Sequence, residues 1–219
     1  MFPVAISKRL AAVWPTGRTG LAGLACLGLA ACSNVPEKVS VVPDMVTWQL
    51  HQQQLEQLGD WSFDGRIAVR DLHNDGWSAS LRWQQQGDSY DIRLSGVFGQ
   101  GAVRIHGDAT AAVLESPDQP PRIATDPEAL MDEALGWHVP VSGLKYWLTG
   151  RPAPQESDLQ VVDGLGHLSR LQQLGWEVSY NRYDHVDGVT LPDKLEMSNS
   201  RLRVRLVIDQ WSLDNPNNI

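Results

Sequence analysis

Long apolar runs, cysteines and basic side chains are scarce in this chain, and each shortage excludes something. The apolar stretch over residues 21–31 gives way to polar Ser33 and Asn34, well short of the roughly 20 apolar residues that cross a bilayer as a helix. Only Cys26 and Cys32 carry thiols. The dipeptide Gly-Lys is absent, and with it any P-loop through which ATP could drive the protein. Neither Gly-x-Ser-x-Gly nor His-Glu-x-x-His occurs, and the six histidines (His51, His73, His106, His138, His167, His185) fall without ligand spacing. An exported hydrolase therefore lacks both its nucleophile motif and its metal motif.

What is present at the start is an export signal. Basic Lys8, Arg9 and Arg18 precede the apolar run, and Leu29-Ala30-Ala31-Cys32 follows with the small residues of a lipobox, where a cysteine thiol is acylated and the preceding peptide removed. Cys26 competes less well, because Gly23-Leu24-Ala25 lacks the large apolar residue that Leu29 supplies. Residues 1–31 are thus expected to leave as a signal peptide. Removing Lys8, Arg9 and Arg18 from the 18 basic residues leaves 15 against 26 acidic ones, a net charge of −11. That balance argues against nucleic acid and against polybasic docking on anionic lipid. With Cys32 acylated, no disulfide remains possible, so stability rests on burial, for which eight of the chain's nine tryptophans remain once Trp14 leaves with the signal.

Residues 32–44, with two prolines and no period, read as a flexible tether. A domain follows over residues 45–214, with residues 215–219 as a tail. It opens with an amphipathic helix over 45–58, in which Trp48, His51 or Gln52, Leu55 and Leu58 share a face and Gly59 ends the run. From Phe63 the period becomes two: Phe63, Ile67 and Val69, then Trp77, Ala79, Leu81 and Trp83, then Tyr90, Ile92 and Leu94, each alternating with polar residues. Residues 101–106 and 111–115 continue the meander. The pattern breaks at 117–121. A capping box at Thr125 and Glu128 then starts one short helix, and Leu144, Trp147 and Leu148 mark a second that ends at Gly150. Strands resume at 167–173, 176–180, 191–197 and 202–208, with 191–197 pairing the last. About eight to eleven short antiparallel strands, interrupted by helices, place the fold in the mainly β (α+β) class.

A sheet with one continuous apolar face covers it with another sheet, with helices or with a ligand. Three short helices leave room for a cavity, while a core packed solid with tryptophan and leucine satisfies the same composition. Arg201, Arg203 and Arg205 mark either a partner surface or the solvated face of a strand. Val97 and Phe98, between Gly96 and Gly99, either tuck back as a local plug or stand out in solvent.

The segment Leu81-Arg82-Trp83-Gln84-Gln85-Gln86-Gly87-Asp88-Ser89-Tyr90-Asp91-Ile92-Arg93-Leu94 and the Ser95-Gly96-Val97-Phe98-Gly99-Gln100-Gly101 that follows resemble the outer-membrane lipoprotein receptor family LolB. Tyr146-Trp147-Leu148-Thr149-Gly150-Arg151-Pro152 and Ile208-Asp209-Gln210-Trp211 fit the same family, so the resemblance covers about residues 48–211. It implies an unclosed antiparallel β-barrel with an apolar interior, covered by short helices as a lid, that receives the acyl chains of cargo lipoproteins from a LolA-like periplasmic carrier.

The acyl chains would lie against Trp77, Leu81 and Trp83, against Tyr90, Ile92 and Leu94, and against Val103 and Ile105. Trp176, Val178 and Tyr180, with Leu202, Val204 and Leu206, continue that wall. Leu130, Leu135, Trp147 and Leu148 would face it from the helices. Phe98, with Val97 beside it, falls where the family carries an apolar residue, commonly leucine, on a protruding loop that inserts cargo into the membrane. Ser33 after Cys32 resembles the outer-membrane sorting pattern. The resemblance further implies a monomer at the periplasmic face of the outer membrane. Apart from the N-acyl diacylglycerol on Cys32 it would hold no cofactor, contact phospholipid and have no catalytic activity. A scaffolding lipoprotein is the alternative.

Overall fold

Alternating apolar and polar residues, repeated over short segments, form a single antiparallel sheet. The computed structural model describes residues 44–96, 102–117, 119–135 and 140–213; Cys32, Val97, Phe98, the leader, the tether and the tail lie outside these. In chain order the elements are α1 (Met45–Glu56), β1 (Trp61–Asp71), β2 (Gly76–Gln86), β3 (Ser89–Gly96), β4 (Ala102–Gly107), β5 (Ala112–Ser116) and β6 (Gln119–Ala124). Then come α2 (Pro127–Leu135), α3 (Val141–Leu148), β7 (Leu159–Val162), β8 (Leu168–Gln173), β9 (Trp176–Val186), β10 (Val189–Ser198) and β11 (Leu202–Leu213).

The eleven strands lie in the order β6-β5-β4-β3-β2-β1-β11-β10-β9-β8-β7. Two meanders, β1 to β6 and β7 to β11, meet where β1 pairs with β11, from Trp61 opposite Leu213 to Asp71 opposite Leu202. The free edges are β6 and β7, so the sheet is not closed, and the chain joining those edges passes through α2 and α3. The antiparallel pairing is the one the alternating pattern predicts, and the unclosed architecture is the one the family resemblance implies.

Period two puts Phe63, Leu81, Trp83, Ile92, Ile105, Val178 and Leu206 on one buried face. Trp61, Phe63, Trp83 and Trp211 fill part of it as an aromatic cluster, with ring centroids 5.2 Å apart for Phe63 and Trp211 and 6.2 Å for Trp61 and Trp83. The opposite face is a lattice of cross-strand ion pairs: Arg66 with Asp209 at 2.6 Å, Arg82 with Asp64 at 2.7 Å, Arg104 with Asp91 at 2.6 Å. Arg203 and Arg205 both bond Glu196, at 3.3 and 2.8 Å. Such exposed pairs add little stability singly, but their alternation with the apolar side chains fixes which face is wet.

Two edges depart from expectation. The sequence predicts a break at residues 117–121, yet β6 includes Pro120 and Pro121. It is tolerated because β6 is an edge strand, where one of the two missing N–H groups faces the open side, and the β5–β6 register is irregular between Leu114 and Ser116, opposite the prolines. At the other edge, β7 has four residues and little pattern to announce it. The cap of α2 also differs. Asp126, not Thr125, accepts hydrogen bonds from the backbone N–H groups of Glu128 (2.9 Å) and Ala129 (3.2 Å), and Pro127 takes the first helical position.

Helix α1 begins at Asp44, whose carboxylate accepts from the Thr47 amide at 3.0 Å, and ends before Gly59. It packs Trp48, His51 and Leu55 inward. His51, rather than Gln52, takes the inner position, with its Nε2 2.8 Å from the Thr190 carbonyl oxygen and its ring 5.0 Å from that of His167. Burial, then the neighbouring His51, hold the His167 imidazole below its ordinary value, with Asp163 opposing. The unfolded chain therefore binds the extra proton first. Stability that is full above pH about 6.5 is expected to fall as pH drops through that value toward the lower folded-state pKa. Thermal melts from pH 7.5 to 5 check this, and His167→Asn is expected to flatten the slope.

Candidate functional site

Helix α3 lies over the apolar face of the sheet. Its apolar residues Val141, Leu144 and Trp147 recur at three-residue steps, so they project on one side, and that side meets the strands. Gly143 brings the helix close to the β8–β9 turn: a Cβ there would stand 3.2 Å from Leu174 Cδ1. Leu174 itself adopts a left-handed backbone, φ 54°, a conformation unfavourable for leucine. Gly150, at φ 84°, turns the chain after the helix.

One side chain ties this helix to the sheet. Gln173, on β8, has no exposed surface. Its Oε1 accepts from Trp147 Nε1 and from the Ala153 amide, both at 2.9 Å, while its Nε2 donates to the carbonyl oxygens of Ala153 (3.0 Å) and Gln155 (2.6 Å). The Tyr180 hydroxyl donates to the Trp147 carbonyl at 3.0 Å. At the helix surface Lys145 Nζ reaches Asp88 Oδ1 at 2.6 Å, and Ser142 Oγ donates to Glu128 Oε1 at 2.7 Å.

Beneath α3 lies a cavity of about 70 Å³ whose wall is entirely apolar. Of the residues singled out from the sequence, Trp77, Leu81, Trp83, Ile92, Leu94, Ile105, Trp147, Trp176 and Val204 line it. Tyr90 lines a second pocket instead. Leu130, Leu148, Val178, Tyr180 and Leu206 are buried in the core, Val103 and Leu202 pack half-buried against it, and none of the seven lines the cavity. Leu135 belongs to α2, but its side chain lies outside the described residues. Alternation assigns a residue to the inner face and is silent on whether it meets the cavity: Val204 does and Leu206 does not. Ile67, Pro140, Val141, Leu144 and Met197 also line the cavity. Of these, Leu144 was marked by its helical spacing and Ile67 by its strand alternation.

The second pocket, about 180 Å³, opens on the other side of Val141, which belongs to both walls. Its wall is mixed: Asp88, Asp108, Ser142 and Lys145 face it together with Ala109, Tyr90, Tyr146 and Pro154. Tyr90 is 8% exposed, and its hydroxyl is buried without a hydrogen-bond partner among the described residues. Burial, with the Asp108 carboxylate adding to it, pushes that phenol up to about 12. Among the described residues no three His, Cys, Asp or Glu side chains converge to hold a metal ion.

An apolar chamber in an unclosed sheet, capped by one short helix, fits a family already suggested by the residues around Tyr90 and Trp147. The family model described as outer membrane lipoprotein LolB matches residues 59–211. The chain belongs to the LolB family of outer-membrane lipoproteins. Among curated LolB relatives, the outer-membrane lipoprotein LolB of Nitrosococcus oceani is 39% identical over 189 residues, covering 84% of this chain and 92% of its own. That of Pseudomonas aeruginosa strain LESB58 is 40% identical over 196 residues, covering 89% and 95%. The crystal structure of a LolA superfamily protein from Nitrosomonas europaea is similar to this LolB-family chain with a TM-score of 0.48 at 7% identity, over 80% of this chain and 94% of that one.

Proposed function

We propose that this LolB-family chain is a receptor anchored to the outer membrane by acyl chains on Cys32. It accepts acylated lipoproteins from a LolA-like periplasmic carrier and inserts them into the bilayer. The observation that carries the reading is the chamber beneath α3, walled by apolar side chains alone and roofed by a helix held through a few directional bonds. Such a wall offers no acid, base or nucleophile, which favours a carrier over a hydrolase. A chamber sunk beneath a helix favours lipid shelter over a scaffold, which would dock partners on exposed apolar residues.

The energetics follow from the cargo. A triacylated cysteine carries roughly 45 methylenes, and at about 0.8 kcal/mol each their exposure to water is prohibitive. A cavity of about 70 Å³ holds only about five to seven water-sized groups. Uptake therefore requires α3 to lift and the inner-face side chains to part, so the lid and sheet are working parts rather than a fixed vessel. With no P-loop in the sequence, transfer runs downhill: this chain must hold acyl chains more tightly than the carrier does, at about 1.4 kcal/mol per tenfold, and release into the bilayer supplies the final drop. The chain's own acyl anchor on Cys32 keeps the receptor beside that bilayer, at the periplasmic face. The protein acts as a monomer in contact with phospholipid, and its only non-protein group is the N-acyl diacylglycerol on Cys32.

The test is a handover. Full-length acylated protein in liposomes is mixed with the carrier loaded with a radiolabelled lipoprotein. The label is expected to move from the carrier to the liposomes in the absence of ATP. Retention on the carrier overturns the reading in favour of a scaffold.

A further inference from the structure

We propose that the chamber empties through the end of the sheet that carries Leu72, Trp77 and Leu174, and that this rim rests on the phospholipid bilayer; this depends on the receptor reading above and names the side of the site that meets lipid.

The strand registers place the rim. Arg70 pairs with Gly76, Ala79 with Gly96, Gln173 with Trp176 and Ser198 with Arg203, while Asp71 lies opposite Leu202 and Ser198 opposite Glu177. The β1–β2, β8–β9 and β10–β11 turns therefore share one end of the sheet, and the last residue of β3 and the first of β4 lie there too. The β2–β3 and β7–β8 turns share the other end. Towards that second end the inner face is filled by Trp61, Phe63, Trp83 and Trp211, all buried. Along β2 the inward side chains Trp83, Leu81 and Ala79 are no more than 5% exposed, and then Trp77 is 38% exposed. Of the side chains lining the chamber it is the one that stands exposed; Ile67, Leu94 and Leu144 are half-buried and the rest buried. The chamber thus opens beside Trp77.

Two leucines stand at the same end. Leu72, in the β1–β2 turn, is 74% exposed, and Leu174, in the two-residue β8–β9 turn, is 41% exposed. Turns favour polar residues, and the left-handed backbone of Leu174 suits asparagine or glycine far better than leucine. Asp71, at the base of the first turn, is folded back: its Oδ1 accepts from the His73 and Asp75 amides at 2.8 and 2.9 Å. An exposed tryptophan with leucines on neighbouring turns, among charged residues such as Asp75 and Arg201, matches the membrane–water boundary, where aromatic rings sit at headgroup level. A stable protein partner needs a contiguous patch, whereas three apolar side chains on separate segments each dip singly into a fluid surface. Tails that leave beside Trp77 pass from chamber to lipid without crossing water, the step that their many methylenes forbid.

Once Cys26 has left and Cys32 is acylated, an introduced cysteine takes a fluorophore alone. Full-length acylated protein labelled at Leu72→Cys, Leu174→Cys or Leu165→Cys is placed in liposomes of phosphatidylethanolamine and phosphatidylglycerol that contain lipid spin-labelled just below the headgroup. Leu165, on the β7–β8 turn and 70% exposed, is the control. Positions 72 and 174 are expected to be quenched severalfold more than position 165. In the handover assay, Leu72→Gln combined with Leu174→Asn is expected to take cargo from the carrier as the parent does and deliver it to liposomes about tenfold more slowly; asparagine accepts the left-handed backbone, so the fold is kept. Equal quenching at all three positions, or delivery at the parent's rate, overturns the rim. Labels that stay unquenched but shift on adding carrier, or on raising receptor density, assign the rim to a protein partner and overturn it as well. A parent that takes no cargo from the carrier overturns the receptor reading instead, while quenching confined to positions 72 and 174 still places the rim on lipid.

Discussion

Gln173→Leu is expected to release α3 while leaving the sheet folded. The glutamine and leucine are close in volume, so little packing is lost, but four hydrogen bonds disappear. Their partners are the Trp147 indole N–H, the Ala153 amide and the carbonyl groups of Ala153 and Gln155. Each buried group left unpaired costs about 1–3 kcal/mol, and allowing for water reaching some of them the total is on the order of 4 kcal/mol. That is comparable with a large part of a domain's stability. It falls on one place, since the unpaired groups belong to α3 and the segment after it. Hydrogen exchange is expected to lose protection over residues 141–155 and keep it along β1, β2 and β11, with uptake of an apolar dye rising. If the variant instead melts as a whole with residues 141–155 still protected, apolar burial and not this amide holds the lid.

The largest effect on function is expected from Phe98→Glu, which should load cargo and fail to deliver it. Residue 98 belongs to the connection between β3 and β4, outside the described residues, and its proposed role is to enter the bilayer with the cargo. A carboxylate at membrane depth costs on the order of 3 kcal/mol, which at 1.4 kcal/mol per tenfold slows delivery about a hundredfold. The measurement is paired: cargo bound to the receptor, and cargo transferred to liposomes. Phe98→Leu is expected to deliver like the parent. Normal delivery by Phe98→Glu removes the insertion role from this residue and leaves uptake into the chamber untouched.

The sheet was legible because period two survives in every long strand, from Phe63 through Leu206, and because Gly150 sits where a helix has to turn. The two edges were less so. An edge strand lacks a neighbour on one side, so β6 can carry Pro120 and Pro121, and β7 can be four residues long. The cap of α2 moved from Thr125 to Asp126, since both are good caps and only backbone geometry chooses between them.

In the site, face was readable and depth was not: Leu81 and Val178 alternate alike, yet one lines the chamber and the other is buried away from it. Gln173 left no sequence signal, being one glutamine beside another, and its burial depends on Trp147, 26 residues away. The Tyr90 hydroxyl, without a partner among the described residues, was equally silent, because nothing local says that Trp83 and Gln85 have satisfied each other. A run of paired glutamines near an aromatic residue is the closest thing to a hint in either case.

The seam between β1 and β11 has a consequence for biosynthesis. The first strand that a ribosome makes has as its partner the last, so the middle of the molecule cannot assemble until translation is nearly over. Until then β1 presents a bare hydrogen-bonding edge to anything extended nearby. A nonsense codon a few positions into β11 would therefore do more than shorten the product. It would leave two meanders without their hydrogen-bonded seam, joined only by the chain through α2 and α3.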